Sequence, residues 1–281
     1  MTFDIALTTA LQRCRLKGAS VDPIAFQIGP LAVRWYGLLI ALAFLIALMM
    51  TGRGVKKAGL DEEKYYSLVM VMIVMAILGA RLYYVVFNWP YYAAHPGEII
   101  AIWHGGLAVH GGLIAGTLTL FLGSRHYGFR FWQLADIIAP WMILGQAIGR
   151  WGNYFNREAY GYAVDKADVP WAIEINGQWH HPTFLYESLW NLLGFGILMV
   201  IARSTWAREG EVALVYLIYY SVGRFVIEGF RTDSLMLGPL RMAQVISLLL
   251  FIGAGAVLLW RRRQGGLKMV SHERKDTDDH K

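Results

Sequence analysis

Gly149-Arg150-Trp151-Gly152-Asn153-Tyr154-Phe155-Asn156-Arg157-Glu158-Ala159-Tyr160-Gly161 follows directly on the apolar run Trp132–Ile148, which carries Asp136 near its start. An arginine and several amides therefore stand where a membrane helix ends. A charge placed centrally in a bilayer costs ~2.5–3.5 kcal/mol on insertion scales, so such residues face a protein-lined cavity rather than lipid. Gly149, Gly152 and Gly161 permit sharp turns and close backbone approach. The stretch reads as the lining of a site for an anionic lipid headgroup.

The rest of the chain supplies the membrane. Its 281 residues are 56% hydrophobic and only 16% charged, with a mean hydropathy of +0.41. That composition excludes an ordinary soluble domain. The net charge of +6 suits contact with anionic lipid heads. It does not point to nucleic acid, because the basic residues are scattered between apolar runs. Cys14 is the single cysteine, so there is no intrachain disulfide, and a free thiol is the plain reading of it. Residues 1–18 lack the long apolar core of a cleavable signal. Within the leader, 1–30, Ile5–Leu16 reads either as an interfacial helix, with Arg13, Arg15 and Lys17 at lipid heads, or as a loosely ordered segment.

Apolar segments of about 20 residues, enough to cross ~30 Å of hydrocarbon, recur at 33–52, 66–88, 107–123, 132–150, 183–202, 211–230 and 241–260. The expected fold is an all-α membrane protein: a polytopic bundle of seven transmembrane helices over 31–262, with no competing strand alternation. Gly112 and Gly116, and Gly145 and Gly149, are spaced four apart and allow helices to pack closely. Arg53, Lys56, Lys57 and Lys64, Arg125 and Arg130, Arg203 and Arg208, and Arg261–Arg263 occupy alternate loops, whereas 89–106 holds no Lys or Arg. The positive-inside rule then puts the C-terminus, with its polar tail 263–281, in the cytoplasm and the N-terminus outside. Loop 151–182 is the largest external segment. It should form a small extramembrane cap, with a hairpin turn at Asn176-Gly177.

On that topology the polar outliers gather at one face. Tyr36 opens the first helix there, Arg81 and Tyr84 lie in the outer half of the second, and His110 opens the third. Arg150 and Asn153 end the fourth, His181 and Glu187 open the fifth, and Tyr220, Arg224, Glu228 and Arg231 line the outer half of the sixth. At about 100° per residue, positions 220, 224, 228 and 231 form one stripe narrower than about 90°. Glu228 can pair with Arg224 and Arg231. Those pairs read equally as interhelical struts, whereas Arg224 lies deeper and its forked donors match a phosphate. Two arginines from different helices can clamp one. His110, flanked by Gly105, Gly106, Gly111 and Gly112, reads evenly as a proton acceptor or as a hydrogen-bonded interfacial histidine. His104, His180 and His181 lack metal-site spacing, and no metal or serine-hydrolase motif is present. From these residues alone, a lipid-modifying enzyme stands beside a transporter or flippase for an anionic lipid and a non-enzymatic assembly subunit. One-sided clustering and the lack of a repeat favour the enzyme.

The motifs together resemble the prolipoprotein diacylglyceryl transferase family, from about Val21 to the last helix. The marks are Asp22-Pro23 with Ile28-Gly29-Pro30, Trp35-Tyr36-Gly37, Gly79-Ala80-Arg81 and Gly105-Gly106-Leu107-Ala108-Val109-His110-Gly111-Gly112. They continue with Gly149–Glu158, His181-Pro182-Thr183-Phe184-Leu185-Tyr186-Glu187 and Gly223-Arg224-Phe225-Val226-Ile227-Glu228-Gly229-Phe230-Arg231. Their joint order is specific, although Arg157 stands where the resemblance calls for glycine. The resemblance implies a bacterial inner-membrane enzyme with its active site and cap on the periplasmic side. Its partners would be the bilayer, phosphatidylglycerol and a preprolipoprotein signal peptide bearing a lipobox cysteine. The diacylglyceryl group would move to that thiol and glycerol 1-phosphate would leave, with no cofactor or metal. It further implies essential roles at Tyr36, His110, Arg150, Asn153, Glu158, Gly161, Tyr220, Arg224, Glu228 and Arg231. On this reading His110 takes the thiol proton and Arg150 and Arg224 bind the phosphodiester. Arg81, Glu158, Gly161, Glu187, Glu228 and Arg231 help build the substrate site, and Asn153, Tyr36 and Tyr220 hold headgroup oxygens.

Overall fold

The computed structural model describes residues 22–29, 31–232, 236–237 and 240–264. The interfacial helix expected at Ile5–Leu16 and the tail beyond 264 lie outside these. Among the described residues, seven helices of 18 residues or more follow one another: α1 (Trp35–Lys57), α2 (Glu62–Phe87), α4 (Val109–Tyr127), α5 (Phe131–Asn156), α6 (Thr183–Arg203), α7 (Glu211–Glu228) and α8 (Met242–Arg263), with a short α3 (Trp89–Ala94) after α2. α1, α2, α6 and α8 are long and apolar enough to cross a membrane by length and composition. The three long helices that fall short, α4, α5 and α7, are those that carry His110, Arg150 and Arg224. Large apolar side chains such as Met70, Leu78, Leu82 and Val86 on α2 and Leu113, Ile114 and Leu118 on α4 point outward. In hydrocarbon that outward face is the favourable one, and the helix is the form that satisfies every backbone group within its own segment.

Glycines set the helix contacts. α1 runs antiparallel to α5, with Tyr36 over Gly152, Ile40 over Gly149, Ala43 over Gly145 and Ile137 over Gly54. α2 runs antiparallel to α4, where Gly79 and Gly111 meet backbone to backbone and Leu68 covers Gly123. α6 crosses α7 through the stacked pair Trp190 and Tyr219, with Gly194 under the Tyr219 ring. Small residues let backbones approach closely, which is how helices associate without a hydrophobic drive between them. A core of Val55, Tyr65, Leu68, Leu120, Phe129 and Leu134 then joins α1, α2, α4 and α5 at the end where α1 passes to α2.

That same end is clasped by polar groups. Buried Asp136 of α5 accepts hydrogen bonds from the backbone N–H of Gly210 (2.5 Å) and Ala213 (2.9 Å), so its carboxylate caps the start of α7. An anion there complements the positive end of the helix dipole. Arg130 pairs with Glu209 at 2.8 Å and Arg262 with Glu211 at 2.7 Å, which ties α5 and α8 to the same turn.

Three short hairpins accompany the helices, and two of them were not expected. β1 (Ile24–Ile28) pairs with β2 (Leu31–Arg34) within the segment read as a leader, and Gly29 turns with φ +57°. β3 (Ile173–Ile175) pairs with β4 (Gln178–His180) across the Asn176-Gly177 turn, both residues at positive φ, as the sequence suggested. β5 (Met236–Leu237) pairs with β6 (Leu240–Arg241) just before α8. The fourth long helix also runs past its expected end: Arg150 and Asn153 sit within its last two turns, and α5 stops only at Asn156. Arg157 takes a left-handed conformation, φ +52° and ψ +44°, as its C-cap. Glycine adopts that conformation without a Cβ penalty, which explains the residue the family pattern favours there.

Gly111 offers a direct check on the glycine contacts. A Cβ at Gly111 runs into the Gly79 carbonyl oxygen and the Tyr83 Cβ, whereas one at Gly255 meets nothing within 4 Å. Gly111→Ala should destabilise the protein by about 1–3 kcal/mol, whereas Gly255→Ala, within α8, should stabilise it by up to about 1 kcal/mol. Thermal unfolding in mild detergent compares the two.

Candidate active site

The C-terminal ends of α5 and α7 and the N-terminal end of α6 converge on one carboxylate. Glu187, in the first turns of α6 and 5% exposed, lies 2.5 Å from Arg150 Nη2 through its Oε2. Its Oε1 lies 3.2 Å from Arg224 Nη1 and 3.8 Å from Arg231 Nη1. Arg224 Nη2 reaches Glu228 Oε2 at 2.7 Å, and Arg231 Nε stands 3.8 Å from the same oxygen. Glu228 Oε2 makes no hydrogen bond of good geometry among the described residues, so the 2.7 Å approach is an ion contact with poor angles. Charge attraction has little angular demand, so the pair still attracts strongly at that distance.

The network continues to the end of α5. Arg150 Nη1 lies 3.5 Å from Asn153 Oδ1, and Asn153 Nδ2 donates to Glu158 Oε1 at 2.9 Å. Asn156 Nδ2 donates to the same oxygen at 3.3 Å. The left-handed Arg157 turns the chain so that Glu158 faces back onto the helix that precedes it. Glu228 and Arg231 are held in turn by Arg241 of β6, which donates to both of their carbonyl oxygens, at 2.6 Å to that of Arg231, and to the Tyr162 hydroxyl. Sequence reasoning passed over Asn156, Tyr162 and Arg241. Arg241 could have been found as one more arginine on the side where the polar outliers cluster.

Burial divides the labour. Glu187 and Glu228 are hidden, whereas the Arg150 and Arg224 side chains are 20% and 17% exposed. Among the described residues each of these arginines spends only part of its five-donor fork on its partners. The remaining donors can take an anion. Tyr36 packs over Gly152, two residues along α5 from Arg150 and so on a different face of that helix. Tyr220 lies one turn below Arg224, with its ring 6.1 Å from Tyr216.

Three expected site residues stand differently. Arg81 is taken up by backbone carbonyls. Its Nε donates to the Ile99 carbonyl (2.8 Å), Nη1 to Gly105 (2.7 Å) and Gly106 (2.9 Å), and Nη2 to Glu98 (2.5 Å) and Ala101 (3.4 Å). All five N–H groups are used, so none is left for a phosphate. Gly161 is buried and closely packed: a Cβ there would lie 2.7 Å from His181 Cβ and 2.9 Å from the Phe230 carbonyl oxygen. Its chain bridges Arg231, so it joins the hairpin segment to the arginine cluster. His110 is exposed in the first turn of α4, with its ring 6.2 Å from that of Tyr83, and no contact joins it to the arginines. The structure thus brings Arg150, Asn153, Glu158, Glu187, Arg224, Glu228 and Arg231 together and leaves Arg81 and His110 on the α2–α4 pair.

Comparison with known proteins meets this geometry. A family model described as prolipoprotein diacylglyceryl transferase matches residues 23–260. The chain belongs to the prolipoprotein diacylglyceryl transferase family. Phosphatidylglycerol–prolipoprotein diacylglyceryl transferase of Bacillus velezensis is 50% identical over 258 residues, covering 88% of this chain and 95% of the relative. The enzymes of that name from Bacillus licheniformis and Listeria monocytogenes are 49% and 47% identical, over 87% and 86% of this chain and 94% and 90% of their own. The chain is a transferase of lipoprotein maturation, and its apolar helices make it a multi-pass membrane protein.

Removing one partner from a buried ion pair leaves an uncompensated charge and costs about 3–5 kcal/mol. Glu187→Ala should therefore lower both stability and activity sharply, while Glu187→Gln, which keeps one acceptor, should lose less of each. Detergent unfolding and transferase turnover of the two variants check the order.

Proposed function

We propose that the Arg150–Glu187–Arg224 cluster binds the phosphodiester of phosphatidylglycerol and drives transfer of its diacylglyceryl group to a prolipoprotein cysteine. The observation that supports this most is the pairing of two part-exposed arginines from different helices on one hidden carboxylate. Glu187 holds both guanidiniums still, so little reorganisation is needed when charge develops.

The step is a substitution at carbon. The cysteine thiol gives up its proton and the thiolate sulfur attacks the glyceryl carbon that bears the phosphate. A C–S thioether bond forms, the C–O bond to phosphate breaks, and its electron pair leaves with glycerol 1-phosphate. The leaving oxygen gains negative charge during the step, and the Arg150 and Arg224 donors lower its energy there. Glu228 and Arg231 fix the far side of Arg224, while Asn153 with Glu158, and the Tyr36 and Tyr220 hydroxyls, hold headgroup oxygens. We assign the thiol proton to His110, so the substrate thiol has to lie between α4 and the arginines. The equation balances without a redox partner.

All seven long helices span the inner membrane on this reading. The clasped, lysine- and arginine-rich end faces the cytoplasm. The active site, the β3–β4 cap and the N-terminal end of α1 then face the periplasm, where a signal segment arrives with its lipobox cysteine.

Incubation of the purified protein with phosphatidylglycerol and a lipobox peptide should give a diacylglycerol-sized mass gain on the peptide and one glycerol 1-phosphate per transfer. Losing one such donor typically costs about a hundredfold or more in turnover, so Arg150→Ala should fall by that much with the protein still inserted. Wild-type rates from Arg150→Ala would remove the phosphate clamp. In the same assay, near-full turnover by His110→Gln would remove the histidine as base and leave the clamp standing.

A further inference from the structure

Arg81 is 7% exposed, lies on α2 and spends its whole donor set on backbone. The carbonyls it gathers belong to the 3-10 turn Pro96–Ile100, to Ala101 between that turn and the next one, Ile102–His104, and to the glycine pair that follows. The Glu98 and Ala101 carbonyls also accept from the backbone N–H of Ala101 (3.1 Å) and His104 (3.2 Å), and one planar fork gathers all five oxygens. The Tyr92 ring lies 5.2 Å from the guanidinium carbon, and the neighbouring Ala80 carbonyl accepts from the Ala108 N–H at 3.0 Å. Gly106 fits the clamp only as glycine. Its φ is +76°, and a Cβ there would lie 2.5 Å from Arg81 Nη1 and 2.9 Å from the Tyr84 ring.

The clamp stops just short of α4, at Ala108. α4 has no side-chain N-cap, and Gly111 and Gly112 stand in its first turns. Glycine costs about 1 kcal/mol in a helix relative to alanine, so the first turn is intrinsically weak. That turn carries His110. Its order has to come from outside the helix, from the Gly79–Gly111 contact on one side and the clamped loop on the other.

We propose that Arg81 is a positioning residue for the transfer: by gripping the loop Glu98–Gly106 it fixes the first turn of α4 and so the place where His110 meets the substrate thiol. This rests on the transferase chemistry proposed above, and it assigns Arg81 no contact with lipid. Lysine cannot replace it, because three donors on a single nitrogen cannot reach five carbonyls spread around a plane.

The test compares Arg81→Met, Arg81→Lys and Gly106→Ala in the full-length protein. Turnover and KM for phosphatidylglycerol are measured, and mass mapping follows the rate at which diethyl pyrocarbonate modifies His110, with His126 at the far end of α4 as internal reference. A misplacement of about 1 Å can cost about a hundredfold, so Arg81→Met should lower kcat by about tenfold or more with KM for the lipid unchanged. The His110 modification rate should shift relative to that of His126. Arg81→Lys should fall between wild type and Arg81→Met, and Gly106→Ala, which breaks the clamp from the loop side, should reproduce the pattern even if Arg81→Met does not fold. A raised KM with kcat kept would put Arg81 on the lipid and overturn the inference. An unchanged His110 rate in folded variants would overturn it too. The modification rate needs no turnover, so it judges the clamp even if the transferase reading fails in its own assay.

Discussion

A carboxylate hidden at the N-terminal end of α6 holds the arginine cluster together. Glu187 is nearly solvent-free and touches guanidiniums from α5 and α7, with a third beyond. A lone buried carboxylate would be costly, and so would arginines at that depth without partners. Each makes the other tolerable. Three helices that could pack in several ways on apolar grounds are thereby held in one arrangement at the end where the arginines gather. The energy of the ion contacts is small beside their effect on geometry, because burying charge cancels most of what the pairing returns.

The bundle serves that arrangement by keeping its two ends different. Where α1 passes to α2, apolar packing around Leu68 and Leu134 and the Asp136 cap on α7 leave little freedom. At the other end the helices open into loops, hairpins and the arginine cluster. Glycine contacts along α1–α5 and α2–α4 run between the two, so the separation of the arginines from His110 follows from how two helix pairs lie relative to each other. Chemistry that needs both must bring its substrate into the space between them.

The sequence made the helices legible because lipid demands long apolar runs. The run read as 33–52 is helical at Trp35–Lys57, and the one read as 211–230 at Glu211–Glu228. It also placed Arg150, Glu187, Arg224 and Glu228 at a common face, since each interrupts an apolar helix at the same height. What it could not show was the use made of a charge. Arg81 has the same signature as Arg150, yet its partners are carbonyl oxygens some 17 to 25 residues away along the chain, and backbone acceptors carry no mark in a sequence. The β1–β2 hairpin went unread because its alternation is short and broken by a bulge. Arg157 looked like a lapse from the family pattern, whereas it occupies a left-handed position that glycine fills more easily. The close approach of Gly161 to His181 and Phe230 carried no mark in the sequence either, because those neighbours are distant along the chain.

A structure of the protein in a lipid nanodisc with phosphatidylglycerol bound bears most directly on the account. It should show the lipid phosphate within hydrogen-bond distance of both Arg150 and Arg224, with Glu187 still behind them. A phosphate held elsewhere, with both guanidiniums unchanged on Glu187, would contradict it.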